Sequence, residues 1–197
     1  MNQKNNIAVI IPAAGSSSRF GGKISKQFLK IGNETVIEKS VSKFLEIESV
    51  KKIYIAIDPN ETLIKSQSFF KHPKVTITKG GGTRSESVYK AVLAIDNEID
   101  VVVIHDAARP WVSKKLINKL ILEFMNDQSI QCLYPVISIT DSLRMKKDED
   151  LIPVDREEFL TIQTPQIFKK ESLKNALDKM MEEKLSFTDE SQLMEMA

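Results

Sequence analysis

Residues 7–28, "IAVIIPAAGSSSRFGGKISKQF", join a short β-branched apolar run to a turn almost free of side chains and then to the cations Arg19 and Lys26. A run such as Ile7 to Ile11, apolar at every position, suits a strand covered on both faces, as in parallel sheets. Pro12 cannot donate to a ladder and ends it. Ala13, Ala14 and Gly15 then let the backbone come close to a ligand, and successive peptide N–H groups in such a turn form a concavity that favours anionic oxygens. Arg19 and Lys26 supply the positive charge that a triphosphate needs. The spacing is neither of the commonest nucleotide motifs. The glycine after Gly15 is Gly21, which breaks G-x-x-x-x-G-K-[ST]; Lys23 is followed by Ile24; and no G-x-G-x-x-G fingerprint is present, which removes the main support for a dinucleotide-dependent oxidoreductase. Taken alone, the segment also fits a Gly/Ser surface turn carrying solvated cations.

Further along, strand-like runs alternate with helical periodicity, and no repeat or low-complexity linker interrupts them. Strands are expected at Ile7 to Ile11, Lys52 to Ile57, Val75 to Thr78, Val101 to Ile104 and Ile130 to Tyr134. Between them Ile37, Val41, Phe44 and Leu45, then Val88, Val92 and Ile95, then Leu116, Leu120 and Phe124 recur at helical spacing. This is the pattern of an α/β domain with a doubly wound, mostly parallel sheet. Right-handed crossovers would place every strand-to-helix loop on one edge, where ligands bind in such sheets. With 197 residues, 42% of them hydrophobic, the chain can bury a sizeable core. A net charge of +1 gives no global pull toward nucleic acid or an anionic membrane, so any phosphate recognition must be local. Cys132 is the only cysteine and reads as a packed thiol. The N-terminal "MNQKNN" has no apolar core and no run reaches membrane length, so a cytoplasmic enzyme is expected.

The other loops add chemistry. "KGGGTRSES" follows the third strand: Gly80, Gly81 and Gly82 promise open backbone and free N–H groups, and Arg84, Ser85 and Ser87 stand at a helix start, which suits a base edge or a phosphate as well as it suits a flexible turn with an ordinary cap. "HDAARP" ends the fourth strand. Its Asp106 is placed to hold Mg²⁺ or a substrate hydroxyl, and Arg109 can grip a second phosphate through its fork of donors. The bland alternatives are an Asp106–Arg109 pair capping the next helix, and a hydrogen-bonded packing role for His105. From Val136 to Thr164 the alternation breaks, and the apolar–polar pattern around "KKDED" predicts a β-hairpin.

In order and approximate spacing, "PAAGSSSRF", "KQFL", "GGGTRSESV", "VIHDAARP", "VDR", "TPQIF" and "TDE" resemble the 2-C-methyl-D-erythritol 4-phosphate cytidylyltransferase family. The resemblance runs from about Ile7 to the last residue, and "HDAARP" narrows it most. It implies a single nucleotidyltransferase domain over residues 1–197 with a β-arm inserted at 136–160, and attack of the methylerythritol phosphate on the α-phosphorus of CTP. It further implies Arg19 and Lys26 as catalytic cations, Ala13, Ala14, Gly15, Gly82 and Ser87 at the nucleotide, and Asp106 and Arg109 at the methylerythritol end, with Mg²⁺ as the cofactor bridging the CTP phosphates. The arm is expected to build a homodimer and to carry Arg156, and Ser142 with Thr164, across the interface to the substrate; Thr188 joins the substrate residues. Competing readings are a cytidylyltransferase for another polyol phosphate, such as ribitol 5-phosphate, and a noncatalytic nucleotide-binding form. The chain departs from the family at Ser25, where proline is usual, and at Ser142, where threonine is usual. The resemblance also implies a last strand with an "NIK" lysine, without counterpart in this sequence. A fragment and a natural shortening are both open, and weak CTP binding with slow turnover is the expectation for the chain as it stands.

Overall fold

A computed structural model describes residues 6–15, 24–184 and 187–196. In chain order the elements are β1 (Ile7–Pro12), β2 (Lys30–Ile31), β3 (Glu34–Thr35), α1 (Val36–Leu45), β4 (Val50–Ile57), β5 (Val75–Lys79), α2 (Arg84–Leu93), β6 (Val101–Ile104) and α3 (Lys114–Asn126). There follow β7 (Cys132–Leu133), β8 (Val136–Ser138), β9 (Leu143–Lys147), β10 (Asp150–Val154), β11 (Leu160–Ile162), β12 (Gln166–Lys169), α4 (Lys170–Glu183) and α5 (Glu190–Met196). The main sheet runs in the order β5-β4-β1-β6-β12-β7. Its β5, β4, β1 and β6 are mutually parallel, and β12 is antiparallel to both of its neighbours.

Both faces of β1 are covered, as an uninterrupted apolar run requires. Ile7, Val9 and Ile11 point into a layer with Ile37, Val41 and Phe44 of α1 and Ile117, Leu120 and Phe124 of α3. Ala8 and Ile10 point the other way, against Val88, Ala91 and Val92 of α2 and Leu173, Ala176 and Leu177 of α4. Alternate strand residues facing opposite layers are what a period of two demands when helices lie on each side. The anticipated doubly wound, mostly parallel sheet is therefore present, and the helical periodicities correspond to α1, α2 and α3. Helix α1 starts with a capping box, Glu38 N–H donating to Thr35 Oγ1 and Thr35 N–H to Glu38 Oε2.

Two parts of the topology differ from the alternation read along the chain. Strand β12 returns antiparallel, so its first residue, Gln166, pairs with the last of β6, Ile104. An antiparallel strand beginning where parallel neighbours end adds its start to the loop edge of the sheet. The hairpin is also longer than one turn: β9 and β10 pair around Asp148, which has φ +54°, and β8 and β11 pair below them. Unlike the sheet, this arm leaves Met145, Leu151 and Leu160 at least half exposed. Among the described residues no helix is long and apolar enough to cross a membrane.

Candidate active site

At the loop edge lies a cavity of about 750 Å³. The β1 loop lines it with Pro12 to Gly15, the β5 loop with Gly81, Gly82, Thr83 and Arg84, and the β6 loop with Asp106 to Arg109; Lys26, Ser87, Thr164, Gln166, Thr188 and Asp189 complete the wall. The structure thus collects Ala13, Ala14, Gly15, Lys26, Gly82, Ser87, Asp106, Arg109, Thr164 and Thr188 around one space. Arg19 lies outside the described residues. Ser142 and Arg156 sit on the arm and do not line this chain's cavity; Arg156 donates to the Thr140 carbonyl.

The β1 turn is held from behind by Gln27, the glutamine of "KQF". Its buried amide donates to the carbonyls of Ala13 (2.8 Å) and Gly15 (3.3 Å), which sets the peptide planes of the small-residue turn, while the adjacent Lys26 is exposed at the cavity. Ser25 precedes them with φ −61°, a value proline also adopts.

The β5 loop corrects one expectation. Its glycine N–H groups are not open: Gly80 donates to Ile57 O, Gly81 to Ser87 Oγ and Gly82 to Glu86 Oε2. Glycine is required at position 80 for another reason, since a Cβ there would stand 2.2 Å from that of Ala14, so the two loops could not meet. Ser87 is part of the same bracing, because its hydroxyl also donates to Thr83 O. The cap of α2 is Thr83 rather than a serine.

Asp106 lies between two guanidiniums. Arg84 Nε donates to Oδ1 (3.2 Å) and Arg109 Nε to Oδ2 (3.0 Å). Arg109 also reaches Gln163, and Arg84 reaches Glu190. Glu190 is 1% exposed, and its Oε1 is buried with no hydrogen-bond partner among the described residues. Burial pushes its carboxyl up, and Arg84 pulls it back. For Arg84, burial works against the charge, but the carboxylates of Glu190 and Asp106 outweigh it and raise the guanidinium's pKa. So the simple Asp106–Arg109 pair is one half of a four-residue chain of alternating charge, and α3 is capped instead by Ser113. The sequence names Arg84 only as a residue at a helix start and Glu190 only as the last letter of "TDE"; nothing local links two residues 106 positions apart.

The geometry also bears on Mg²⁺. Both oxygens of Asp106 already accept from cations, and among the described residues no three acidic, histidine or cysteine side chains cluster as metal ligands. A dication is repelled by the two guanidiniums, so the residues do not fit the metal role anticipated for Asp106.

Thr164 corrects the arm reading. It is buried in its own chain, with Oγ1 2.9 Å from His105 Nδ1 and accepting from Asp106 N–H (3.3 Å), so it belongs to this cavity and not to a partner's. His105 is fully buried and tilted against Phe44. Burial pushes its pKa down to about 4, against a smaller upward pull from its bond to the Arg109 carbonyl. Cys132 is a partly buried thiol raised to about 12, first by burial and then by Glu195 and its acidic neighbours, so it is unreactive.

A family model described as 2-C-methyl-D-erythritol 4-phosphate cytidylyltransferase matches residues 7–197. The enzyme of that name from Caldanaerobacter subterraneus is 33% identical over 196 residues, covering 96% of this chain and 85% of the relative. That from Endomicrobium trichonymphae is 37% identical over 190 residues, covering 95% and 84%. The crystal structure of the Francisella tularensis 2-C-methyl-D-erythritol 4-phosphate cytidylyltransferase superposes with a TM-score of 0.81 at 31% identity, covering 97% of this chain and 86% of the other.

Proposed function

This chain belongs to the 2-C-methyl-D-erythritol 4-phosphate cytidylyltransferase family, and on that premise we propose how its residues divide the work. The reaction joins CTP and 2-C-methyl-D-erythritol 4-phosphate to give 4-diphosphocytidyl-2-C-methyl-D-erythritol and pyrophosphate, in the non-mevalonate isoprenoid pathway. A phosphate oxygen of the acceptor forms the new bond to the α-phosphorus, and the bond from that phosphorus to the departing pyrophosphate breaks. A phosphate dianion is already a nucleophile, so no general base is needed. Positioning and charge neutralisation carry the rate.

The observation that carries the division of roles is the Asp106 carboxylate clamped between Arg84 and Arg109, lining the same cavity as the small-residue β1 turn. Ala13, Ala14 and Gly15 admit the triphosphate. Lys26 neutralises it, with Arg19 assigned the same duty by its place in "PAAGSSSRF". Gly82 and Ser87 border the nucleoside. Asp106, with both arginines satisfied, presents its remaining lone pairs to acceptor hydroxyls, and Arg109 offers its other donors to a phosphate; Thr188 lines the same cavity. Mg²⁺ enters on CTP as part of the substrate, since the triphosphate oxygens supply the hard ligands that this protein edge does not.

The arm supports a homodimer. Leu151, Leu160 and Met145 need a cover that their own chain does not provide, and a second copy would bring Arg156 and Ser142 toward a substrate phosphate. With no membrane-length helix among the described residues and a single unpaired thiol, the cytoplasm is the compartment we assign.

The test is Mg²⁺-dependent pyrophosphate release from CTP with methylerythritol 4-phosphate or with ribitol 5-phosphate, on this chain and on Lys26→Ala. Release with the first acceptor alone, lost in the variant, supports the reading. Release with ribitol 5-phosphate instead would move the acceptor assignment, and CTP binding without release would favour the noncatalytic alternative.

A further inference from the structure

The hydrogen-bond arithmetic around His105 decides what Thr164 can offer a ligand. His105 Nε2 is 3.0 Å from the backbone carbonyl of Arg109, and a carbonyl only accepts, so Nε2 carries the ring proton. Among the described residues the buried ring's polar partners are this carbonyl and a hydroxyl, with no carboxylate bonded to it; desolvation favours the neutral form, in line with a pKa near 4. In a neutral ring protonated at Nε2, Nδ1 is an acceptor. Thr164 Oγ1 at 2.9 Å must therefore donate its single hydrogen to it. The same oxygen accepts from Asp106 N–H. One lone pair remains, on a residue that lines the cavity.

We infer that His105 is a positioning residue that makes Thr164 a pure hydrogen-bond acceptor, so that this point of the cavity takes a hydroxyl of the polyol and rejects a phosphate oxygen. The inference rests on the proposed function and deepens it, because it assigns one end of the acceptor to one wall. A fully ionised phosphate has no hydrogen to give and would face Thr164 lone pair to lone pair. A hydroxyl donates there and keeps its own lone pairs for Arg84 or Arg109. Asp106, also only an acceptor when ionised, reinforces the same selection a few atoms away.

Two measurements test this. The first needs no substrate: the side-chain nitrogen spectrum of histidine-labelled protein at neutral pH, with His72→Gln used to assign the other histidine. Protonation at Nε2 alone is expected for His105; protonation at Nδ1 overturns the inference. The second uses Thr164→Val and Thr164→Ser with methylerythritol 4-phosphate and analogues in which each free hydroxyl is replaced in turn by hydrogen or fluorine. Thr164→Val should raise KM for the acceptor by about ten- to a hundredfold and leave KM for CTP unchanged, with Thr164→Ser close to the parent. One hydroxyl should lose its importance in the valine variant. At that position fluorine, which cannot donate, should be no better than hydrogen in the parent enzyme. Recovery of binding by fluorine would show that Thr164 donates, and would overturn the inference. If no polyol phosphate turns over, the proposed function falls and this inference with it; a wrong tautomer in an active enzyme sinks the inference alone.

Discussion

The loop edge of the sheet and the β-arm are both rich in charged and apolar side chains, yet they satisfy them in opposite ways. At the edge, the polar groups of Gln27, Ser87, Asp106 and Thr164 are held by partners within the chain, Ser87 by its own loop and helix start, and Asp106 and Thr164 by elements 22 and 59 residues away. On the arm, among the described residues, the strands pair only with each other, and Leu151 and Leu160 remain 68% and 55% exposed. The contrast teaches that these described groups of the edge are preorganised by the fold, with their reorganisation cost already met before a ligand arrives. The arm keeps an apolar face exposed, the face that the proposed homodimer would cover.

Substitutions can break this contrast at either end. Arg84→Ala should have the largest effect, because it strands Glu190 as a buried carboxylate without its cation. A loss of about 3–5 kcal/mol in denaturant unfolding is expected, and a loss below 1 kcal/mol would show that the edge is not held together by this pair. Lys26→Ala should leave stability within about 0.5 kcal/mol, since the side chain is exposed, while lowering kcat by about 10²–10³-fold in the pyrophosphate assay.

Acidification probes the same edge through His105. Its folded pKa, about 4, lies below the ordinary value of 6.5, so the unfolded chain takes up the proton first as pH falls. Stability is therefore unaffected above about pH 6.5 and declines as pH drops through the window from 6.5 toward 4, by about 3 kcal/mol at most. Thermal melts of the parent and of His105→Phe across that window should differ in slope, and equal slopes would remove His105 as the cause.

On the arm the expectation reverses. Leu151→Glu should leave the monomer's stability nearly unchanged while weakening self-association by about 2 kcal/mol in sedimentation equilibrium. A monomeric parent would refute the arm as a dimer surface. The smallest effect belongs to Ser25→Pro. The φ of −61° already suits proline, so the variant should gain about 0.4–1 kcal/mol and stiffen the approach to Lys26. A loss of stability would mean that the serine contributes something its geometry does not reveal.

Much of the edge was legible along the chain because strand-to-helix loops in a parallel sheet share one side, so flagging Ala13 to Gly15, Gly82, Asp106 and Arg109 was enough to predict a common site. What each group does there was less legible. The glycine N–H groups of the β5 loop looked open in sequence and are occupied, because Ser87 and Glu86 curl back from the next turn of α2. Thr164 looked like part of the arm because it closes that segment, whereas the antiparallel return of β12 carries it to His105, 59 residues earlier. Arg84 and Glu190 are 106 residues apart, and no local pattern connects them.

By itself the sequence determined the layered α/β sheet, the edge on which candidate site residues gather and the small-residue turn after β1, because burial period and backbone sterics act over a few neighbouring residues. Only the tertiary structure decided which donors are spent and which remain, where Asp106's charge is balanced, and which way the Thr164 hydroxyl points. Those depend on pairing each donor with an acceptor across the fold, and a hydrogen bond's direction is set by both of its ends.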